Sequence, residues 1–146
     1  MENKKFKDLF SETAKKNGFE SAFGGWFKES EECLAALYLQ KSNYGNYYEL
    51  NIKIFIQGIF GEHYKRSKEL KNAVSDILGR QPDEYRDTFD LELSTEDAIR
   101  KGRLEQLFND FVVPFVNTML TREGIKKCAQ ADKDFLPSAV NKELGL

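Results

Sequence analysis

The sequence predicts a single α+β domain, and three observations carry that prediction. Apolar residues recur at helical spacing near the N-terminus, alternate with period two around residue 50, and form a long helical stripe again after residue 100. The expected architecture is an N-terminal helix, an antiparallel sheet of about four strands, and a long kinked C-terminal helix followed by short ones.

The first helix is expected over residues 3–17. Phe6, Leu9, Phe10 and Ala14 share one stripe, and lysines and acids fill most of the remaining surface. Asn17-Gly18 supplies a stop, because glycine tolerates the left-handed conformation past a helix end, and Phe19 can then pack back on Ala14. A first strand is expected over 22–29, bent at Gly24-Gly25, and a second over 33–41. The third, over 47–57, has the clearest pattern. Tyr48, Leu50, Ile52, Ile54 and Ile56 form one face, while Tyr47, Glu49, Asn51, Lys53, Phe55 and Gln57 form the other. The intervening Ser42-Asn43-Tyr44-Gly45-Asn46 suits a hairpin loop.

The stretch 70–80 reads two ways. Leu70, Ala73, Val74, Ile77 and Leu78 have helical spacing, yet the β-branched Val74 and Ile77 suit a strand. A weaker alternation at 88–93 suggests a short edge strand or extended link. Ser94 and Asp97 have capping-box spacing ahead of the stripe Leu104, Leu107, Phe108, Phe111, Val112, Phe115, Val116 and Met119. Pro114 is expected to bend that helix by removing the hydrogen bond to the Asp110 carbonyl. Thr121 is placed to cap a further helix, and Leu136, Val140 and Leu144 suit a last short one.

Composition narrows the function classes. A chain of 146 residues with 12 Phe and 6 Tyr can build a core without metal or disulfide, and residues 1–146 read as one domain. With 22 basic and 24 acidic residues the net charge is −2, which gives no overall field for nucleic acid or an anionic membrane. No stretch approaches the ~20 apolar residues of a membrane span, and the N-terminus lacks the apolar run of a signal peptide. Cys33 and Cys128 are expected as free thiols in a reducing cytoplasm.

The order of helix end Asn17-Gly18-Phe19, aromatic strand Gly24-Gly25-Trp26-Phe27, Leu39-Gln40-Lys41-Ser42 and the alternating strand from Tyr48 resembles the bacterial family catalogued as domain of unknown function 4304. The likeness covers roughly residues 5–120. It implies an α+β fold, tilts 70–80 towards the sheet, and carries over no activity and no functional residues.

Chemistry-bearing motifs are sparse. The one histidine, His63, lies in a polar loop without a nearby nucleophile, and zinc sites built on two or three histidines cannot form within one chain. The stretch 83–97 holds Asp83, Glu84, Asp87, Asp90, Glu92, Glu96 and Asp97 against Arg86 alone. It lacks the alternate spacing and central glycine of a calcium loop, so no metal and no cofactor is expected. Basic residues at 65–71 and 100–103 are diluted by nearby acids, which disfavours nucleic acid. One feature stands out. The polar face of the central hairpin, with Tyr38, Gln40, Tyr47, Glu49, Asn51, Lys53 and Phe55, mixes rigid aromatic area with adaptable hydrogen-bonding groups. The expectation is therefore a non-catalytic module, immunity-type in one version, that binds another protein through this face and the charged 83–97 edge, as a monomer or homodimer. The alternative is an enzyme whose site is assembled from dispersed acidic residues and His63.

Overall fold

The computed structural model describes all 146 residues. Helix α1 runs Asn3–Lys16 and buries Phe6, Phe10, Thr13 and Ala14, so of the predicted stripe Leu9 is only half-buried and Thr13 joins the rest. Its end follows from Gly18 at φ 90°, which turns the chain so that the Phe19 N–H reaches the Ala14 carbonyl at 3.0 Å. Phe19 then sits in the core at 2% exposure.

The sheet is a five-stranded antiparallel meander in the order β1-β2-β3-β4-β5, one strand more than expected. The extra strand comes from the glycine pair. The expected bend is a tight hairpin that divides β1 (Glu20–Ala22) from β2 (Gly25–Glu29). Phe23 and Gly24 occupy the turn with φ of 50° and 76°, the left-handed pair that a two-residue hairpin needs. Gly25 is required for a different reason: a Cβ there would lie 2.6 Å from the Tyr38 ring. Strands β3 (Cys33–Lys41) and β4 (Tyr48–Ile56) pair along nine residues, from Cys33 opposite Ile56 to Lys41 opposite Tyr48.

The 70–80 stretch resolves as both turn and strand. Lys68–Lys71 forms a 3-10 turn and Ile77–Arg80 forms β5 on the far edge of the sheet. The helical spacing there was coincidental, since Val74 is 94% exposed. The extended reading of 88–93 is corrected too. Asp83–Phe89 coils into 3-10 turns that bury Tyr85, Thr88 and Phe89, and only a single bridge, Asp90 to Tyr47, touches the sheet.

One face of the sheet carries Trp26, Leu37, Leu50, Ile52, Ile54 and Ile77 into the main core. There Phe10 meets Trp26 edge-on at 4.8 Å and Phe108 at 5.4 Å. Helix α2 (Asp97–Leu107) begins after Glu96 with no side-chain cap, so Ser94 does not act as one. Directly before Pro114 the helix widens into a π turn, Phe108–Val112, then continues as α3 (Val113–Met119). Proline offers no N–H and crowds the carbonyl four residues back, and the wider turn accommodates both. Thr121 caps α4 (Arg122–Ala131) by accepting from the Gly124 N–H at 3.0 Å. Helix α5 (Ser138–Glu143) closes the core with Val140, beside Leu136 and Leu144. No helix is long and apolar enough to cross a membrane.

Candidate binding surface on the second sheet face

The second face is divided, and the division follows from one loop. After β4 the chain from 57 to 76 folds back across the sheet and buries a small second core of Phe27, Leu34, Ala36, Tyr38, Phe55 and Leu70. Gln57 fastens it by a reciprocal pair of bonds, its amide donating to the Tyr64 carbonyl at 2.8 Å and accepting the Tyr64 N–H at 2.7 Å. Lys53 fastens it again, because its Nζ donates to the carbonyls of Lys71 and Ala73, both at 2.7 Å. Asp76 completes the attachment by accepting the Ile56 N–H at 2.7 Å.

Three of the seven residues singled out by sequence therefore lie under or within this strap. Tyr38 and Phe55 are 2% and 0% exposed. Burial pushes the Tyr38 hydroxyl up to about 12 and leaves it without a hydrogen-bond partner. Lys53 is held in place by the strap's carbonyls, and burial lowers its ammonium below the ordinary lysine range. The covering element is the loop after β4 rather than the C-terminal helices.

The other four, Gln40, Tyr47, Glu49 and Asn51, stay together on the open end of the face. Gln40 pairs with Glu49 across β3 and β4, and the Asn51 amide donates to Gln40 Oε1 at 2.8 Å. Arg80 of β5 adds an ion pair to Glu49 at 2.5 Å. Where β5 stops, the Leu50 N–H would lose its partner, and Gln81 Oε1 takes it at 2.8 Å. The turn of 83–90 rises beside this edge and leaves a cleft of about 520 Å³ whose walls include Tyr47, Glu49, Arg80, Asp83, Arg86 and Asp90. A shallower hollow of about 230 Å³ lies across the hairpin, and Tyr47 and Glu49 belong to both. At the hairpin tip Tyr44 is 95% exposed.

Sequence reasoning missed Tyr44, Arg80, Gln81 and Arg86. Tyr44 had a readable signal, as the one aromatic in an otherwise polar hairpin loop. Arg80 had none while the strand containing it was ambiguous.

The wall of the cleft is built by a residue with no motif around it. Arg100 of α2 is fully buried, and its guanidinium donates to the carbonyls of Thr88 at 2.7 Å, Asp90 at 3.2 Å, Leu93 at 3.2 Å and Asp87 at 3.4 Å. Desolvation lowers its pKa, with Asp90 and Asp97 opposing that shift. Arg103 adds a bond to the Glu84 carbonyl at 2.7 Å and stacks 4.4 Å from the Tyr85 ring. The acidic stretch is thus anchored through its backbone, leaving several of its carboxylates at the surface.

The remaining candidates are not gathered. His63 is exposed beyond the end of β4, whereas Asp90 bridges Tyr47 just before its start. A nine-residue strand between them implies a separation on the order of 25 Å. Cys33 is fully buried, and burial pushes its thiol up to about 12. No three His, Cys, Asp or Glu side chains come together in a way that would hold a metal ion.

Fold and surface together define an α+β domain: a meander sheet, helices packed on one face, and a polar, aromatic-tipped end left open on the other. The chain belongs to the family described as domain of unknown function (DUF4304), whose model matches residues 10–118. That span takes in the whole sheet, the acidic turn and α2, and it stops within α3. No curated protein and no solved structure matches the chain.

Proposed function

We propose that this protein is a bacterial, cytoplasmic, non-catalytic module that binds another protein through the open end of its second sheet face. The observation that supports this reading most is the joint placement of Gln40, Tyr47, Glu49 and Asn51 beside two hollows and the exposed ring of Tyr44. A half-buried tyrosine between adjustable amides and charges offers contact area at little entropic cost, as binding surfaces favour. An immunity-type protein, which neutralises a toxin by covering it, is one role that such a surface would serve.

The test is capture of a partner from native-host lysate by the tagged protein, with Tyr47→Ala compared against Lys127→Ala on the exposed side of α4. The expected result is a stoichiometric protein partner that Tyr47→Ala loses and Lys127→Ala keeps, with both variants melting as wild type does. A partner retained equally by both would overturn the placement of the surface. Lys53 is unsuitable for this test, because its replacement would loosen the strap.

A further inference from the structure

We propose that two copies of this chain pair through the outer edge of β5, joining their sheets into one continuous sheet about a twofold axis at Gly79. The inference is independent of the protein-binding reading above.

Backbone direction carries the argument. Along β4 the even-numbered residues turn their N–H groups towards the β5 side, as the bonds from Leu50 to Gln81 and from Ile56 to Asp76 show. With Ile52 opposite Gly79 and Ile54 opposite Ile77, the odd-numbered residues of β5 face β4 with their backbone polar groups. The N–H and C=O groups of Leu78 and Arg80 therefore point the other way. No strand lies there, because β5 ends the sheet. No loop backbone bonds to these four groups, and the nearby Ser75 hydroxyl turns to the Ile77 carbonyl instead. Leu78 and Arg80 are both exposed, so the edge is open.

An open edge is a template for a further strand, and its own pattern selects a second copy. The free groups lie two residues apart. An antiparallel copy centred on Gly79 makes four bonds, the N–H and C=O of Leu78 to Arg80 of the second copy and the reverse. That register sets Gly79 against its own counterpart, where antiparallel strands approach to about 4.5 Å between Cα atoms. Glycine suits the position, because Phe115 overlies Gly79 so closely that a Cβ would come within 2.9 Å of its ring. A side chain on the facing residue would crowd the same ring. Arg80 is already neutralised by Glu49 and would face Leu78, so no like charges meet. Apolar surface flanks the edge on both sides. Leu78 and, just before the strand, Val74 are 51% and 94% exposed. On the core side Phe115 is half-buried and stacked on Phe111 at 5.4 Å. Covering these side chains would add apolar burial to the four backbone bonds.

Sedimentation velocity of the intact protein over a concentration series tests the proposal, with amide exchange measured on the same samples. The expected result is a dimer whose Leu78 and Arg80 N–H groups exchange more slowly as concentration rises. Leu78→Pro removes an outward N–H without removing a bond to β4. It deletes two of the four contacts, so the dissociation constant should rise about tenfold or more. Leu78→Lys, which keeps the backbone intact, should weaken the dimer as well. Melting of both variants at high dilution reports that the fold is kept. A protein that stays monomeric at every concentration would overturn the proposal, even if a lysate protein then slowed the two amides. A dimer that both variants keep undiminished would overturn its placement on β5.

Discussion

Replacing Arg100 with methionine should destabilise the protein and loosen the cleft wall in particular. Methionine replaces the aliphatic stem of arginine but stops short of the guanidinium, so the principal loss is of hydrogen bonds. Three of the four carbonyl contacts lie at 3.2 Å or less. A bond to a charged donor is worth about 1.5–3 kcal/mol, and a buried acceptor left bare costs about 1–3 kcal/mol. Two terms reduce that total: methionine spares the cost of burying a guanidinium, and carbonyls near exposed Asp87 and Leu93 can turn to water. The net expectation is about 3 kcal/mol, or a melting temperature lowered by roughly 6–12 °C for a domain of this size. Arg100→Lys should fall between, because one ammonium cannot span the carbonyls from Thr88 to Leu93. Differential scanning calorimetry gives the loss, and amide exchange localises it. The Leu91 N–H, bonded to the Asn46 carbonyl at 2.9 Å, should lose protection ahead of the β3–β4 ladder. A methionine variant that melts within 2 °C of wild type (about 1 kcal/mol or less), with Leu91 still protected, would refute the reasoning.

Other outcomes follow from local geometry. Gly102 lies inside α2, and a Cβ there would meet no atom within 4 Å; Gly102→Ala should raise stability by about 0.5–1 kcal/mol in a denaturant titration. Asp76 is buried, and desolvation raises its pKa above the usual 3.8 despite the Ile56 N–H that it accepts. A carboxyl whose folded pKa is raised costs stability when ionised, and that cost is relieved as pH falls through the folded value towards 3.8. Asp76→Asn should therefore melt higher than wild type at pH 7, with the gap closing in acid; a gap that widens in acid would contradict the assignment. Cys33, fully buried with its thiol pushed up to about 12, should resist thiol reagents in the native state, while half-buried Cys128 reacts, as mass spectrometry of labelled protein would show.

The long periodic elements were legible because their patterns match their surroundings. Helix α1 and strand β4 each carry a periodic apolar face to the main core, which marks them. Strand β3 is instead buried on both faces from Cys33 to Tyr38 and shows as a continuous apolar run. The first hairpin was not legible because its turn holds Phe23 at φ 50°, where asparagine or glycine would be the usual signal. At 70–80 the apolar spacing had no amphipathic meaning, since Val74 and Leu78 point to solvent. The candidate surface was half legible. Period two assigned Tyr38, Gln40, Tyr47, Glu49, Asn51, Lys53 and Phe55 to one face, but it could not reveal that the strap from 57 to 76 covers the end holding Tyr38, Lys53 and Phe55. That strap has no regular strand, and it is held by side-chain bonds to carbonyls, which leave no periodic trace in sequence.

The most direct test of the central claim is photo-crosslinking in the native host, with p-benzoyl-phenylalanine installed in place of Tyr44 or, as a control, Lys127. The account predicts a covalent adduct to a partner protein from the Tyr44 position and none from the α4 position. An adduct from α4 with none from the hairpin tip would contradict it.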